Sequence, residues 1–326
     1  MAVAGNESQR RFIEESFPGI KTIHLDGYNV RYSSTYSGFL LTLLSQLPRL
    51  LRTIRHEREW LEQQVAEHGF DGIISDNRYG LYHSTVPSVI MTHQLQVQTG
   101  MGHFADQLTR QQHYTYLQRF GQCWVADVAG KPNLGGSLSH PAAMPVQAKY
   151  VGLLSQMQQP GTITAGAHLL VLLSGPEPQR SILSDMIWQQ LSDYDGKVVF
   201  VEGSNSAPSR QDVPEHITYR KRLTQQQLQP LIENASMVIC RSGYSSLMDL
   251  LMLRRKAILI PTPGQTEQEY LARHLQEQGV FLAAQQKSFV LNDTLNAAKN
   301  FPFHSLLSGD DYHQFVPVMN EWLATL

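Results

Sequence analysis

The sequence predicts an α/β protein of two parallel-sheet, Rossmann-like domains, and three observations carry that reading. Short β-rich runs alternate with longer helical patterns, as in chained βαβ units. Strands such as Ile258-Leu259-Ile260 are apolar without interruption, which suits a sheet covered on both faces. The 326 residues also exceed the roughly 250–300 at which one core stops growing, so two domains are expected.

Strands are expected at Ile20–Leu25, Gly72–Asp76, Ser88–His93 and Gln122–Asp127, with Val3 and Ala4 closing an earlier one. In the second half they fall at His168–Gly175, Lys197–Gly203, Ile217–Arg222, Met237–Arg241, Lys256–Pro261 and Val280–Ala283. Helices are expected over Ser8–Ser16, Gly38–Glu67, Gln179–Ser192, Gln225–Glu233, Ser246–Leu253 and Glu267–Gln278. The polar, turn-rich stretch Met157–Gly166 marks the boundary between domains 1–156 and 157–326. A last helix, about Tyr312–Leu326, is placed to pack back across either domain, including the first.

The long helix carries Leu40, Leu43, Leu44, Leu47, Leu50, Leu51, Ile54 and Leu61 at helical spacing, with Arg49, Arg52, Arg55 and Arg58 on other faces. The pattern reads as a core-facing helix with a solvated side, and also fits a helix lying on an anionic membrane. Pro48 is expected to kink or split it.

Composition narrows the function classes. Hydrophobic residues make up 42% and charged residues 17%, too apolar for disorder. A net charge of −2 argues against a nucleic-acid partner. Two cysteines, Cys123 and Cys240, sit in apolar runs, so a reducing cytoplasm fits better than a disulfide framework. No apolar run approaches the ~18 residues of a membrane span. Nucleotide-cofactor and metal signatures such as Gly-x-Gly-x-x-Gly or His-Glu-x-x-His are absent, so no cofactor and no metal are expected. Asp193-Tyr194-Asp195 precedes a strand, on the wrong edge for a site, and reads as a turn.

In open α/β sheets ligands bind beyond the carboxyl ends of the strands. Three turns there have suitable chemistry. In Met237-Val-Ile-Cys-Arg-Ser-Gly-Tyr-Ser-Ser-Leu-Met-Asp249 a strand ends at Arg241 and Gly243 permits a tight turn. Ser245 and Ser246 are placed to cap the next helix, whose free N–H groups favour a diphosphate. Asp249 lies one helical turn on, where it can accept ribose hydroxyls. Pro261–Tyr270 supplies Gln268 and Glu269 for sugar hydroxyls, although Thr266 and Glu269 also have capping-box spacing. Ser174-Gly175 ends the first strand of the second domain. In the first half, Asp76 and His93 end consecutive strands and are candidate general bases.

The run Val238-Ile-Cys-Arg-Ser-Gly-Tyr-Ser-Ser-Leu-Met-Asp249 resembles the Cys-Arg-Ser-Gly-Ala-x-Thr-x-x-Glu donor motif of the MurG-like glycosyltransferases, of the family 28 C-terminal-domain type. The resemblance runs from about His168 to Ala284 and extends, less specifically, to Ser75-Asp-Asn-Arg-Tyr-Gly80 and Thr92-His-Gln94. It implies the GT-B architecture, two Rossmann-like domains facing a cleft. Arg241, Ser242 and Gly243 would lie at the donor diphosphate and Ser246 in the threonine position. Asp249 would replace the ribose-binding glutamate, and Gln268 and Glu269 a pair of glutamines at the donor sugar. Ser174-Gly175 falls where the family has a Gly-Gly-Ser turn.

Family members place a strand and a Gly-rich, histidine-containing loop before the equivalent of Val3–Gly5. The first domain is therefore expected to lack its opening strand, a gap of roughly thirty residues. The implied reaction is metal-independent, inverting transfer of a hexosamine from a UDP-type donor to a hydroxyl acceptor. That acceptor is expected to be lipid-linked at the inner face of the membrane. The alternatives are a UDP-sugar epimerase and a non-catalytic nucleotide-sugar-binding subunit.

Overall fold

The structure, a computed structural model, describes residues 1–27, 36–96, 102–145, 147–161, 166–204, 210–306 and 314–326, and only the backbone of 36–47, 103–105 and 108. Parts of the expected boundary (162–165) and of the last helix (312–313), and the side chains of Leu40, Leu43, Leu44 and Leu47, lie outside the described residues.

The first domain contains β1 (Ala2–Gly5), α1 (Glu7–Ser16), β2 (Lys21–His24), α2 (Tyr36–His68), β3 (Ile73–Asp76), β4 (Ser88–Thr92), α3 (His103–Leu117), β5 (Gln122–Val125) and β6 (Ala148–Tyr150). Asn6 caps α1 through its side chain on the Gln9 amide, and Gln9 returns the bond in a capping box. Its strands form two separate parallel sheets, β1-β2 and β3-β4-β5-β6. No backbone ladder bridges them among the described residues. Side chains do so instead: Leu25 packs with Leu61, Ile73 and Leu81, and Arg78 donates to the Asp26 carbonyl.

The second domain contains β7 (His168–Leu172), α4 (Gln179–Gln190), β8 (Val198–Val201), β9 (Ile217–Arg220), α5 (Gln225–Glu233), β10 (Ala235–Cys240), α6 (Tyr244–Met252), β11 (Ala257–Leu259), α7 (Thr266–Glu277), β12 (Leu282–Ala283) and α8 (Leu291–Lys299). Its six strands are parallel in the order β9-β8-β7-β10-β11-β12. The chain thus winds outward one way from β7 and the other way from β10. The point of reversal lies between those two strands, where a doubly wound sheet opens a crevice at the carboxyl ends. Two apolar layers cover the sheet, one around Leu170, Val238, Leu247 and Leu271, the other around Val171, Leu183, Phe200 and Ile258.

Helix α9 (Phe315–Leu323) returns to the first domain. Trp322, 5% exposed, meets Trp124 edge-on at 5.7 Å and packs beside Val89 and Val151. Gly72 is required there, since a Cβ would lie 2.7 Å from the Trp322 ring.

Several local expectations change. Helices α3 and α8 and strand β6 were not read from the sequence, because their apolar positions are sparse or their runs too short for periodicity to register. Helix α2 runs uninterrupted across Pro48 and is not split there. Both cysteines are buried and free, and burial pushes each thiol up to about 12.

His113 on α3 is buried against Tyr79 with neither ring nitrogen in a formed hydrogen bond. Desolvation pulls its pKa from 6.5 down to about 4, outweighing a backbone contact at Leu95. A depressed histidine leaves stability intact above the unfolded value of 6.5 and erodes it as pH falls toward 4, by up to about 3 kcal/mol. His113→Phe is therefore expected to flatten the fall in unfolding free energy between those pH values. Urea titrations across that window provide the measurement.

Candidate active site

The reversal point puts the carboxyl ends of β7 and β10 side by side, and the residues that end them build the site. Beyond β7, Ser174 and Gly175 are exposed. Gly175 has φ +102, which a residue with a side chain rarely adopts. Behind this turn, buried Arg180 donates to the Glu202 carboxylate at 3.0 Å and to its carbonyl at 2.9 Å, joining α4 to the end of β8.

Beyond β10, Gly243 begins α6 as its N-cap in an extended conformation with no side-chain cap. Ser245 and Ser246 do not cap the helix, contrary to the expectation from their sequence, because glycine takes the N-cap and they fall inside the first turn. The opening amides of the helix have no intrahelical acceptor, and Ser245 in the first turn is exposed. The positive end of the helix dipole favours an anion at that place.

Arg241 is 1% exposed, and its guanidinium serves the protein. Nη1 donates to the carbonyls of Ile260 and Pro261, each at 3.1 Å, and to Gln286 Oε1 at 2.7 Å. Nη2 donates to the Gln179 carbonyl at 2.7 Å. Burial lowers its pKa to about 10, so it stays charged at neutral pH. Arg241 thereby holds the end of β11, the start of α4 and the Gln286 turn around the head of α6.

Ser242 Oγ donates to the Gln268 carbonyl at 2.8 Å, and Gln268 Oε1 accepts from the Thr262 amide at 2.9 Å. The Gln268 carbonyl end is thus committed to its own loop, and its NH2 end is the one left to meet a sugar hydroxyl. Glu269 accepts from the Gly264 amide at 2.9 Å. The capping box expected of Thr266 and Glu269 does not form. The N-cap is Gln265, and Glu269 closes the preceding turn instead. Asp249 accepts from Ser155 Oγ at 2.6 Å, which ties α6 to the segment leaving the first domain. Burial raises its carboxyl above the ordinary value, opposed by that hydrogen bond and by the Gln156 amide.

The first domain meets this surface through residues that follow β4 and β5. Asp127 is fully buried and accepts from the amides of Val128, Leu134 and Gly135 and from Ser139 Oγ, at 2.6–3.0 Å. This cradle shapes the loop that reaches α7, where Ser137 donates through its amide to the Tyr270 hydroxyl at 2.7 Å. Gly136 passes so close that a Cβ would lie 2.3 Å from that hydroxyl. Tyr244 donates to the Ala126 carbonyl at 2.8 Å. His93 stacks on Tyr244, ring centroids 4.3 Å apart, and its Nε2 lies 2.9 Å from Glu267 Oε1. Asp76 lies at the neighbouring strand end. Desolvation raises its carboxyl, and His93 opposes the rise.

The structure thus gathers Arg241, Ser242, Gly243, Gln268 and Glu269 into one loop cluster and sets His93 against it. Ser174 and Gly175 follow β7, the strand paired with β10. Tyr244, Glu267 and Asp127 were not among the sequence candidates. The acidic residue in the first turn of α7 was the one visible signal for Glu267; nothing local marks a cross-domain contact.

The two parallel-sheet domains and the crevice between them define a GT-B fold. Residues 181–300 match the Glycosyltransferase family 28 C-terminal domain, so this is a glycosyltransferase of the GT-B type. The structure is similar to the glycotransferase of kitacinnamycin (TM-score 0.66, 14% identity, 99% of this chain and 90% of that one). It is also similar to Acinetobacter baumannii MurG (0.51, 12%, 91% and 80%) and to a putative UDP-N-acetylglucosamine 2-epimerase from Listeria monocytogenes (0.54, 10%, 99% and 95%). At these identities the likeness is one of fold. No curated protein matches the sequence.

Two outcomes follow from the buried charges. Arg241→Ala leaves several buried acceptors without a donor and is expected to cost about 2–4 kcal/mol in urea unfolding of the ligand-free protein. Arg241→Lys should not restore that loss, because an ammonium cannot reach the fork of acceptors. Asp249 has the opposite sign. A raised carboxyl costs stability as pH rises above 3.8 and costs nothing below it. Asp249→Asn is expected to match or exceed the parent in thermal stability at pH 7, with the difference vanishing near pH 3.

Proposed function

We propose that the protein transfers a hexosamine from a UDP-type donor to a hydroxyl acceptor, with inversion at the anomeric carbon. The observation that carries this reading is the uncapped N-terminus of α6 at the sheet's reversal point, held open by the Arg241 clamp. A diphosphate there accepts from the opening amides, and the helix dipole stabilises the charge that develops on the leaving group without a metal. Asp249 and Gln268 are the groups for the ribose and the sugar, with Ser174, Gly175, Ser245, Ser246 and Glu269 around the phosphates and the hexose. The acceptor oxygen forms its bond to the anomeric carbon as the bond to the diphosphate breaks. His93 takes the acceptor proton, with Asp76 at the rim of the same edge.

A lipid-linked acceptor would reach this cleft from a membrane surface. Helix α2 exposes Arg49, Arg52 and Arg55 beside Leu51, a pattern suited to an anionic surface. Among the described residues no helix is long and apolar enough to cross a membrane.

Radiolabelled UDP-N-acetylhexosamine, incubated with the protein with and without a lipid extract, separates the possible activities. Label moving into the lipid fraction with release of UDP is the expected result. A changed sugar nucleotide formed without lipid would instead indicate an epimerase. UDP binding with neither product would indicate a binding subunit, and the lack of any UDP-induced thermal shift would remove the donor-site reading.

A further inference from the structure

Outside the donor loops, His93 is a titratable group held from across the domain boundary. It belongs to the first domain, yet both contacts that fix it come from the second, and Glu267 lies 174 positions away in the chain. The stack on Tyr244, 27° from parallel, sets the plane of the ring, while the 2.9 Å contact to Glu267 sets its rotation within that plane. Tyr244 is itself anchored through its hydroxyl to Ala126. It is also the first residue of α6, the helix whose N-terminus is the proposed diphosphate site. The His93 and Glu267 side chains are 27% and 33% exposed, which leaves the pair open to an acceptor entering the cleft.

We propose that Glu267 is a positioning residue for His93 as general base. This rests on the glycosyltransferase reading above. The Glu267 carboxylate accepts only, so the facing Nε2 carries the proton and Nδ1 carries the lone pair. Nδ1 is thereby the atom that takes the acceptor hydroxyl's proton. As it does so, the acceptor oxygen bonds to the anomeric carbon and the donor C–O electron pair leaves on the diphosphate. The imidazolium that results is held by Glu267, which stays ionised throughout. Because the pair spans the cleft, the base is complete only when the two domains meet. Among the described residues, the other titratable groups facing the pair are Asp76 at the end of β3, Tyr244 on α6 and Asp127 behind Tyr244.

The test uses the full chain labelled with 15N at histidine. In the donor-free protein, neutral His93 is expected as the Nε2–H tautomer alone, and Glu267→Ala is expected to admit the Nδ1–H form as in a free imidazole. Finding Nδ1–H in the parent overturns the proposal, whatever the protein does to UDP-sugars. In turnover, Glu267→Gln keeps a hydrogen-bond acceptor but removes the charge. It is expected to lower kcat by about tenfold or more, leave donor KM within about twofold, and move the acid limb of the pH–rate profile to lower pH. If Gln and Ala raise KM together and leave the acid limb unmoved, Glu267 is only a latch between domains and the proposal fails. The tautomer does not depend on turnover, so a protein with the expected tautomer and no transfer activity would refute the function and not the pairing.

Discussion

Main-chain carbonyls from two separate turns, together with the side-chain oxygen of Gln286, converge on the buried guanidinium of Arg241, and the second domain's binding edge depends on that convergence. A parallel sheet delivers its βα turns to one edge but does nothing to hold them there. Each turn ends in carbonyls that point into a desolvated space, where an unpaired acceptor is costly. A single planar, permanently charged fork satisfies several at once, which a lysine cannot do. Ser242, the next residue, adds the loop after β11 through Gln268. The Arg-Ser-Gly sequence therefore has divided duties: arginine and serine fix the surroundings, and glycine opens the helix toward the ligand.

Much of this was legible in the residues. The strand–helix alternation, the apolar parallel strands and the turn after β10 are local signals, and the structure has them within a few residues of the expected bounds. What was not legible depends on partners distant in sequence. The capping role expected of Ser245 and Ser246 passed to Gly243, because the turn starts the helix earlier than the serine pattern suggests. Asp249 looked like a free carboxylate one turn into a helix, and only folding brings Ser155 to it. Arg241 read as a charge available to a ligand, whereas its acceptors come from residues 179, 260, 261 and 286. No window along the chain contains such a set.

The contact between the domains follows the same logic on a larger scale. It combines directional bonds, Tyr244 to Ala126 and Ser137 to Tyr270, with an apolar patch in which Leu134, Leu138 and Val128 join the second domain's cluster. The apolar part supplies the non-directional attraction. The polar part sets the angle, and it originates in the buried Asp127 cradle that gives the first domain's loop its shape. A buried carboxylate with all its acceptors used can thus govern geometry well away from itself.

Trp322 has a consequence for how the protein is made. It fills the face of the first domain's sheet beside Trp124, yet it follows the elements of the second domain in the chain. Domains of a nascent chain generally fold in the order in which they emerge from the ribosome. Here the earlier domain must wait with part of its apolar sheet uncovered until the later one has been translated. The two halves are separate in architecture but joined in biogenesis, and the first becomes complete only when the second has finished.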